Sequence, residues 1–499
     1  MSNQFILALD QSTSGSKAAV VNNQGQIISL CTKEHRQSYP KPGWVEHDPL
    51  EIYQNCKELL IEVVAKAGLQ PSDLTVLAIT NQRETIVLWD RETGQPVYNA
   101  IVWQCRRTAD LCEQLKLDGM EEMIQARTGL QLDPYFSATK IKWILDNVSG
   151  VKEKAHAKQL CIGTIDSWLI WKFTKGAVHA TDYTNASRTL LYNIQTLQWD
   201  LELLELFQVE PGMLPEVKSS NEIFGYTAKG ELFADVSLPI AGVIGDSQGA
   251  LFGQQCIKPG MVKATYGTGT SVLMHTGQQL VRSEKGLVSA IAWGINGQVD
   301  YAVEGIIHCS GDAVKWVKDN LGLFDSFAEA EALINSLPSN EGVYLVPAFV
   351  GLGIPYWQPN VRAAILGMSR GASKAHIIRA AVEAIAYQIN DAINVMVEES
   401  GIALQELKAD GGATSNQFLM QFQADLLQRP VNVAKIAELS MMGSVYLAGL
   451  AVEIWPDLQA ITDIIEFGRV YQPQMDQETR QKNMVGWQQA VASVLKGVN

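Results

Sequence analysis

Hydrophobic and polar positions follow two rhythms from the start of the chain. The runs FILALD, KAAVV and, after Asn22-Asn23-Gln24-Gly25, GQIISL are short, apolar and separated by turn residues, the pattern of paired strands. After a Pro/Gly stretch from Tyr39 to Gly43, helical spacing runs from Pro49 to about Ala67, and LTVLAIT, residues 74 to 80, predicts a buried strand. Strand hairpin, helix, strand is an α/β order. A second cycle begins at Leu238: LPIAGVIGD predicts an apolar strand, SQGALFGQ opens a helix, and VKATYGTGTSVLMH (262 to 275) repeats the strand, small-residue turn and strand of the opening. Farther on come GVYLVPAF (342 to 349), a long helix from His376 to about Glu399 with Ile378, Val382, Ile385, Ile389 and Ile393 on one stripe, and ADGGATSNQFLMQFQADLL. The repetition predicts two domains, 1–250 and 251–499, each contributing one hairpin to a shared cleft; no low-complexity linker marks the boundary.

Bulk properties narrow this picture. At 499 residues the chain exceeds what a single core usually organises, which agrees with two domains. A net charge of −14, with no stretch of concentrated Lys and Arg, disfavours nucleic acid as a partner. FILAL is too short for a secretory signal, and the apolar stretch SVYLAGLAVEIW contains Glu453 and falls short of the roughly twenty residues that span a bilayer. Seven scattered cysteines without a CxxC pair read as free thiols in a reducing cytoplasm.

Candidate chemistry sits at the turns. Thr13, Ser14 and Gly15, flanked by Ser12 and Ser16, offer closely spaced N–H groups and hydroxyls that suit phosphate oxygens, and Lys17 adds a mobile charge; a polar hairpin whose glycine supplies a positive φ explains the same letters. The Walker A spacing is absent. Asp10 is either a turn-initiating residue or a carboxylate facing a metal-bound water. Asp246 ends an apolar strand where a helix begins: it could take a proton from a substrate hydroxyl, or cap the helix. Arg83-Glu84 at another strand end could donate to and accept from a polyol, or be a solvated pair. Trp103 is a stacking wall or core. Gly411-Gly412, with Ser415 and Asn416, allows close approach of a base or ribose, or forms a turn and helix cap.

Taken in order, these stretches closely resemble the FGGY carbohydrate kinases, and among them the branch acting on glycerol. The resemblance runs nearly end to end through LDQSTSGSK, GWVEHDPLEIY, TNQRET, VWQCRRTA, DPYFSATKIKWILDN, TDYTNASRTLLYNI, YGTGTSVLM, PAFVGLGIPYW and DGGATSNQFLMQFQADLL, and the family's two signature patterns fit at 135 to 147 and 363 to 383. It implies an actin-like ATPase fold, two ribonuclease-H-like domains around a central cleft, and ATP-dependent phosphorylation of glycerol to sn-glycerol 3-phosphate. By position it implies Asp246 as general base and a metal-side residue, and Asp10 holding Mg²⁺ through water. Thr13, Ser14, Gly15, Lys17 and Thr268 would line the phosphates, and Gly311, Lys315, Gly412 and Asn416 the nucleoside. Arg83, Glu84, Trp103, Tyr135 and Ser247 would meet the polyol. The implied partners are a small polyol and ATP, with a homodimer or homotetramer as the assemblies to test for.

This chain departs from the glycerol branch at several of these positions. Ser247 stands where that branch has Gln, and Ser271 where it has an aromatic, both removing volume beside the polyol. A kinase of another polyol or ketose of three to five carbons is therefore the alternative. A non-catalytic nucleotide-binding protein of the same fold is disfavoured by the retained Asp246. Lys315 replaces a usual Gln and Ser12 a usual Gly. KGELFAD before Val236 lacks the family's Gly-Gly-Thr-Arg effector loop for fructose bisphosphate, and no His lies between His179 and His275 to match a phosphorylated regulatory His.

Overall fold

The opening apolar runs form an antiparallel ladder of β1 (Phe5–Gln11), β2 (Gly15–Asn22) and β3 (Ile27–Glu34), with Asp10 opposite Lys17 beside the tight turn. Ile6, Leu7, Ala8 and Leu9 on β1 are fully buried, as a strand covered on both faces requires. β1 then pairs in parallel with the strand Leu74–Asn81, which pairs in parallel with Pro239–Gly245. Gln11, Asn81 and Gly245 are in register across the three strands. Asp10, Arg83 and Asp246 therefore lie along one edge, at the carboxyl ends of neighbouring parallel strands, where open α/β sheets place ligands.

The computed structural model describes residues 4–496, and its chain divides into two compact units. The first holds the residues up to Gln255 together with Ser289–Tyr301 and Glu438–Ile465; the second holds Cys256–Val288, Ala302–Ala437 and the residues from Glu466. The expectation of two continuous halves thus differs from the observed path, in which two later segments return to the first unit. The helix Leu439–Ala451 packs on the strand Pro239–Gly245 and on the helix Asp246–Gly253. Such a return leaves no trace in local periodicity.

In the second unit the strand Met261–Tyr266 pairs antiparallel with Thr270–Gly277 and parallel with Glu406–Asp410, which pairs parallel with Val431–Ala434. This is the order of the first sheet repeated: an antiparallel hairpin followed by parallel additions on one side. The helix Lys374–Ser400 buries Ile378, Val382, Ile385, Ile389 and Ile393 in that unit's core, the stripe read from the 3.6-residue spacing. Among the described residues no helix is long and apolar enough to cross a membrane. All seven cysteines are free and buried.

Candidate active site

Asp246 is the first residue of the helix Asp246–Gly253, and the cap position belongs to Gly245, so its carboxylate is not spent as an N-cap side chain. Oδ1 accepts from the Ser247 N–H at 2.7 Å and lies 3.1 Å from Arg83 Nε. The Asp246 side chain is 39% exposed while that of Arg83 is 5% exposed, so a buried guanidinium holds a carboxylate that still faces outward. Arg83 Nη1 also donates to Gln248 Oε1 at 3.2 Å. A carboxylate so fixed at a strand-end edge can accept a proton from a hydroxyl brought to it.

Glu84 is buried and adopts a left-handed backbone conformation with φ +62°. That geometry is uncommon for a residue with a side chain. Its Oε1 accepts from Arg188 Nε at 2.6 Å, and its carbonyl accepts from Ser137 Oγ at 2.8 Å. Burial pushes the Glu84 carboxyl upward, opposed by the charges of Arg188 and Arg83. The Arg83-Glu84 dipeptide is therefore interior, and the solvated-pair alternative does not hold.

Trp103 and Tyr135, both half-buried, form an aromatic wall with ring centroids 5.3 Å apart. Trp103 Nε1 donates to Thr13 Oγ1 at 2.9 Å, tying this wall to the β1–β2 turn. Behind Tyr135, the fully buried Lys140 Nζ donates to the carbonyls of Pro134, of Tyr135 at 2.7 Å and of Phe136 at 3.0 Å. Burial lowers this lysine to about 8. The three carbonyls give the ammonium the partners a buried cation requires.

At the β1–β2 turn the Ser12 N–H closes onto the Gly15 carbonyl at 2.8 Å, leaving Ser14 exposed at the tip. Gly15 does not supply a positive φ; it is glycine because a Cβ would come within 2.7 Å of the Lys33 carbonyl on β3. Asp10 is buried and accepts from Ser12 Oγ at 2.9 Å. Burial raises its carboxyl to about 7, the Ser12 hydrogen bond opposing and the nearby Asp246 charge adding to the rise. Lys17 is not the mobile cation expected: its Nζ lies 2.7 and 3.0 Å from the carboxylate oxygens of Glu438. Asp10 and Asp246 suit a hard, largely hydrated cation such as Mg²⁺, which needs only one or two carboxylates. The described residues hold no group of three or more His, Cys, Asp or Glu that could form an all-protein metal site.

In the second unit the exposed turn around Thr268 meets the start of the helix Gly311–Asp319. The Thr268 carbonyl accepts from the N–H groups of Ser310 at 3.0 Å and Asp312 at 3.2 Å. Gly311 permits this approach, since a Cβ there would sit 2.6 Å from the Gly267 carbonyl. Lys315 is exposed on the same helix. Gly411 must be glycine, with φ +96° and a Cβ position 2.4 Å from the Tyr266 carbonyl, whereas a Cβ on the exposed Gly412 would meet open space. Asn416 caps the helix Gln417–Leu427 through Oδ1 to the Leu419 N–H at 2.9 Å. Ser271, expected to leave room beside a polyol, donates to Glu304 Oε1 at 3.2 Å within this unit.

Several functional candidates escaped the reading by residue type. Arg188, Glu438, Asp182 and Thr184 enter only through the partners just described or through the strand end before Asp246, where the Gly245 N–H donates to Thr184 Oγ1 at 2.8 Å. For Asp182, Thr184 and Arg188 the signal was the density of hydroxyls and amides in TDYTNASRT; for Glu438 the sequence carried none.

The family model for the N-terminal domain of the FGGY family of carbohydrate kinases matches residues 5–253, and that for the C-terminal domain matches 262–452. The chain is 52% identical over 493 residues to a glycerol kinase of Caldanaerobacter subterraneus subsp. tengcongensis, covering 99% of each chain. It is 51% identical over 492 residues to glycerol kinase 2 of Thermotoga maritima, again covering 99% of each. Among solved structures, the Plasmodium falciparum glycerol kinase with ADP superposes with a TM-score of 0.95 at 37% identity, over 99% of this chain and 98% of that one. A gluconate kinase from Lactobacillus acidophilus, 20% identical with a TM-score of 0.88 over the whole of both chains, shares the fold.

Proposed function

Because the chain belongs to the FGGY family of carbohydrate kinases, we propose that it transfers the γ-phosphoryl group of ATP to a primary hydroxyl of glycerol, giving sn-glycerol 3-phosphate and ADP. Full-length relatives named glycerol kinase support the substrate. The observation that carries the mechanism is Asp246, fixed by Arg83 at 3.1 Å yet still facing outward at the carboxyl edge of three parallel strands.

In this reading Asp246 accepts the proton of the attacking hydroxyl as its oxygen bonds to the γ-phosphorus and the bond to the ADP oxygen breaks. Arg83 and Glu84 bind the polyol hydroxyls, and the Trp103–Tyr135 wall covers its carbon face, with Ser247 beside the base. The β1–β2 turn residues Thr13, Ser14 and Gly15 receive phosphate oxygens, a role that the family resemblance also gives to Thr268. Lys17 contributes its charge only by exchanging Glu438 for phosphate. Gly311, Lys315, Gly412 and Asn416 hold the nucleoside; the open space over Gly412 supports that assignment. Asp10 and Asp246 would hold Mg²⁺, which supplies charge neutralisation at the transferring phosphoryl group. Free, buried cysteines and use of ATP support a cytoplasmic location.

Two measurements test this reading. Asp246→Asn should lower kcat at least ~100-fold, within the range general base catalysis supplies; a near wild-type rate rejects Asp246 as base. In a panel of glycerol, dihydroxyacetone, erythritol, threitol and pentuloses, glycerol should have the highest kcat/KM. A four- or five-carbon compound favoured tenfold, about 1.4 kcal/mol of transition-state preference, would replace glycerol with the alternative that Ser247 motivates.

A further inference from the structure

The edge that presents Asp246 is held from behind by a buried polar relay. Asp182 ends a short strand and caps the turn Tyr183–Ala186, accepting from the Asn185 N–H at 2.9 Å. Both of its carboxylate oxygens lie 2.8 Å from Thr184 Oγ1, and Oδ2 also accepts from Ser220 Oγ at 2.8 Å. The Thr184 hydroxyl has one proton, given to Asp182, so its lone pairs face the opposite way, and there it accepts from the Gly245 N–H at 2.8 Å. Asp182, Thr184 and Asn185 are all fully buried to within 1% exposure.

Gly245 is the residue before Asp246, and the helix that follows receives no side-chain cap. The first turn of a helix leaves N–H groups unsatisfied and free to shift unless something fixes its entry. Here the entry is fixed one residue upstream. The reciprocal amides of Asn81 and Asn185, at 2.9 and 3.2 Å, brace the neighbouring strand end in the same layer. N–H to hydroxyl to carboxylate is a polarised chain, stronger than its members taken singly.

We infer that Thr184, oriented by Asp182, is a positioning residue that sets where the Asp246 carboxylate stands, acting through the Gly245 peptide rather than on substrate. This rests on the reading of Asp246 as general base. A displacement of about 1 Å in a reacting group costs on the order of 10²-fold in rate, and a hydroxyl that fixes the base should matter for kcat and little for binding.

The test is steady-state kinetics on Thr184→Val, which keeps shape and removes the acceptor, beside Thr184→Ser, which restores it, and Ser220→Ala, which removes a different donor from Asp182. Thr184→Val should lose roughly 10- to 100-fold in kcat, with the KM values for glycerol and ATP within about threefold of wild type. Thr184→Ser should recover kcat to within about threefold, and Ser220→Ala should lose thermal stability while keeping kcat. A Thr184→Val enzyme with unchanged kcat overturns the inference. So does one whose kcat and KM fail together, or that does not fold, because the hydroxyl then supports the unit as a whole. If Asp246→Asn is active, the base assignment fails first; if Asp246→Asn is inactive and Thr184→Val is fully active, only the positioning inference fails.

Discussion

Replacing Asp10 by asparagine should stabilise the ligand-free protein, and should do so far more at pH 8 than at pH 5. Burial raises the Asp10 carboxyl from 3.8 to about 7, so the folded state binds its proton more tightly than the unfolded chain does. A raised acid contributes stability that is complete below 3.8 and lost as pH rises through 7. At about 1.4 kcal/mol per pH unit, the full loss is on the order of 4 kcal/mol. Asparagine carries no charge to desolvate and keeps an oxygen for the Ser12 hydroxyl, which donates to Asp10 at 2.9 Å. The gain at pH 8 should therefore exceed that at pH 5 by about 3 kcal/mol, since most of the native-state ionisation lies between those two values. Denaturant unfolding of wild type and Asp10→Asn without nucleotide or divalent cation, followed by tryptophan fluorescence, reads the difference; the Trp89, Trp168 and Trp171 cluster lies in the same unit. Equal gains at the two pH values, or a variant less stable than wild type at pH 8, would refute the reasoning. The same variant should lose phosphorylation activity by at least ~100-fold, because the residue is destabilising for the reason that it is useful: a buried negative charge awaiting a cation.

Two further outcomes follow from the ion pairs and donors around the site. Lys140→Met removes the donor shared by the carbonyls of Pro134, Tyr135 and Phe136; it should cost about 2–3 kcal/mol of stability and raise the glycerol KM severalfold while the ATP KM stays near wild type, and an unchanged glycerol KM would separate this lysine from the Tyr135 wall. Glu438→Gln releases Lys17 from its half-exposed pair, an interaction worth up to about 1 kcal/mol, so the ATP KM should fall by about two- to fivefold and become more sensitive to salt; a rise in ATP KM would show that the pair orients Lys17 rather than withholding it.

What could be read from the sequence, and what could not, divides along a physical line. Periodicity located β1, the buried strand after it and the long helix Lys374–Ser400, because burial of one stripe or both faces repeats every few residues. The strand-end position of Asp246 was readable for the same reason: an apolar run that stops at an acid before a helix has few other meanings in a parallel sheet. Partner choice was not readable. Glu438 lies 421 residues from Lys17, Arg188 lies 104 from Glu84, and Thr184 lies 61 from the Gly245 peptide it receives. A local pattern shows that a polar residue sits on a given face but not which distant group meets it. The positive-φ alternative for Gly15 failed likewise, since β3 brings the Lys33 carbonyl against it, whereas the N-cap alternative for Asp246 failed on a one-residue shift of the helix start, Gly245 taking the cap position.

These pairings bear on how a chain of net charge −14 deals with a polyanionic substrate. In the first unit the cations nearest the candidate site are already engaged: Lys17 with Glu438, Arg83 with Asp246, and Arg188 with Glu84. Each pair fixes a side chain more than it offers free charge, since attraction between fixed opposite charges is largely cancelled beyond the pair itself. Phosphate oxygens would then be met by the N–H groups and hydroxyls of the β1–β2 turn and by a divalent cation at Asp10, with lysine charge held in reserve behind Glu438. Such a site leaves the base outward-facing while still neutralising the transferred group. Its selectivity then rests on position, which is what the proposed relay behind Gly245 would set for Asp246.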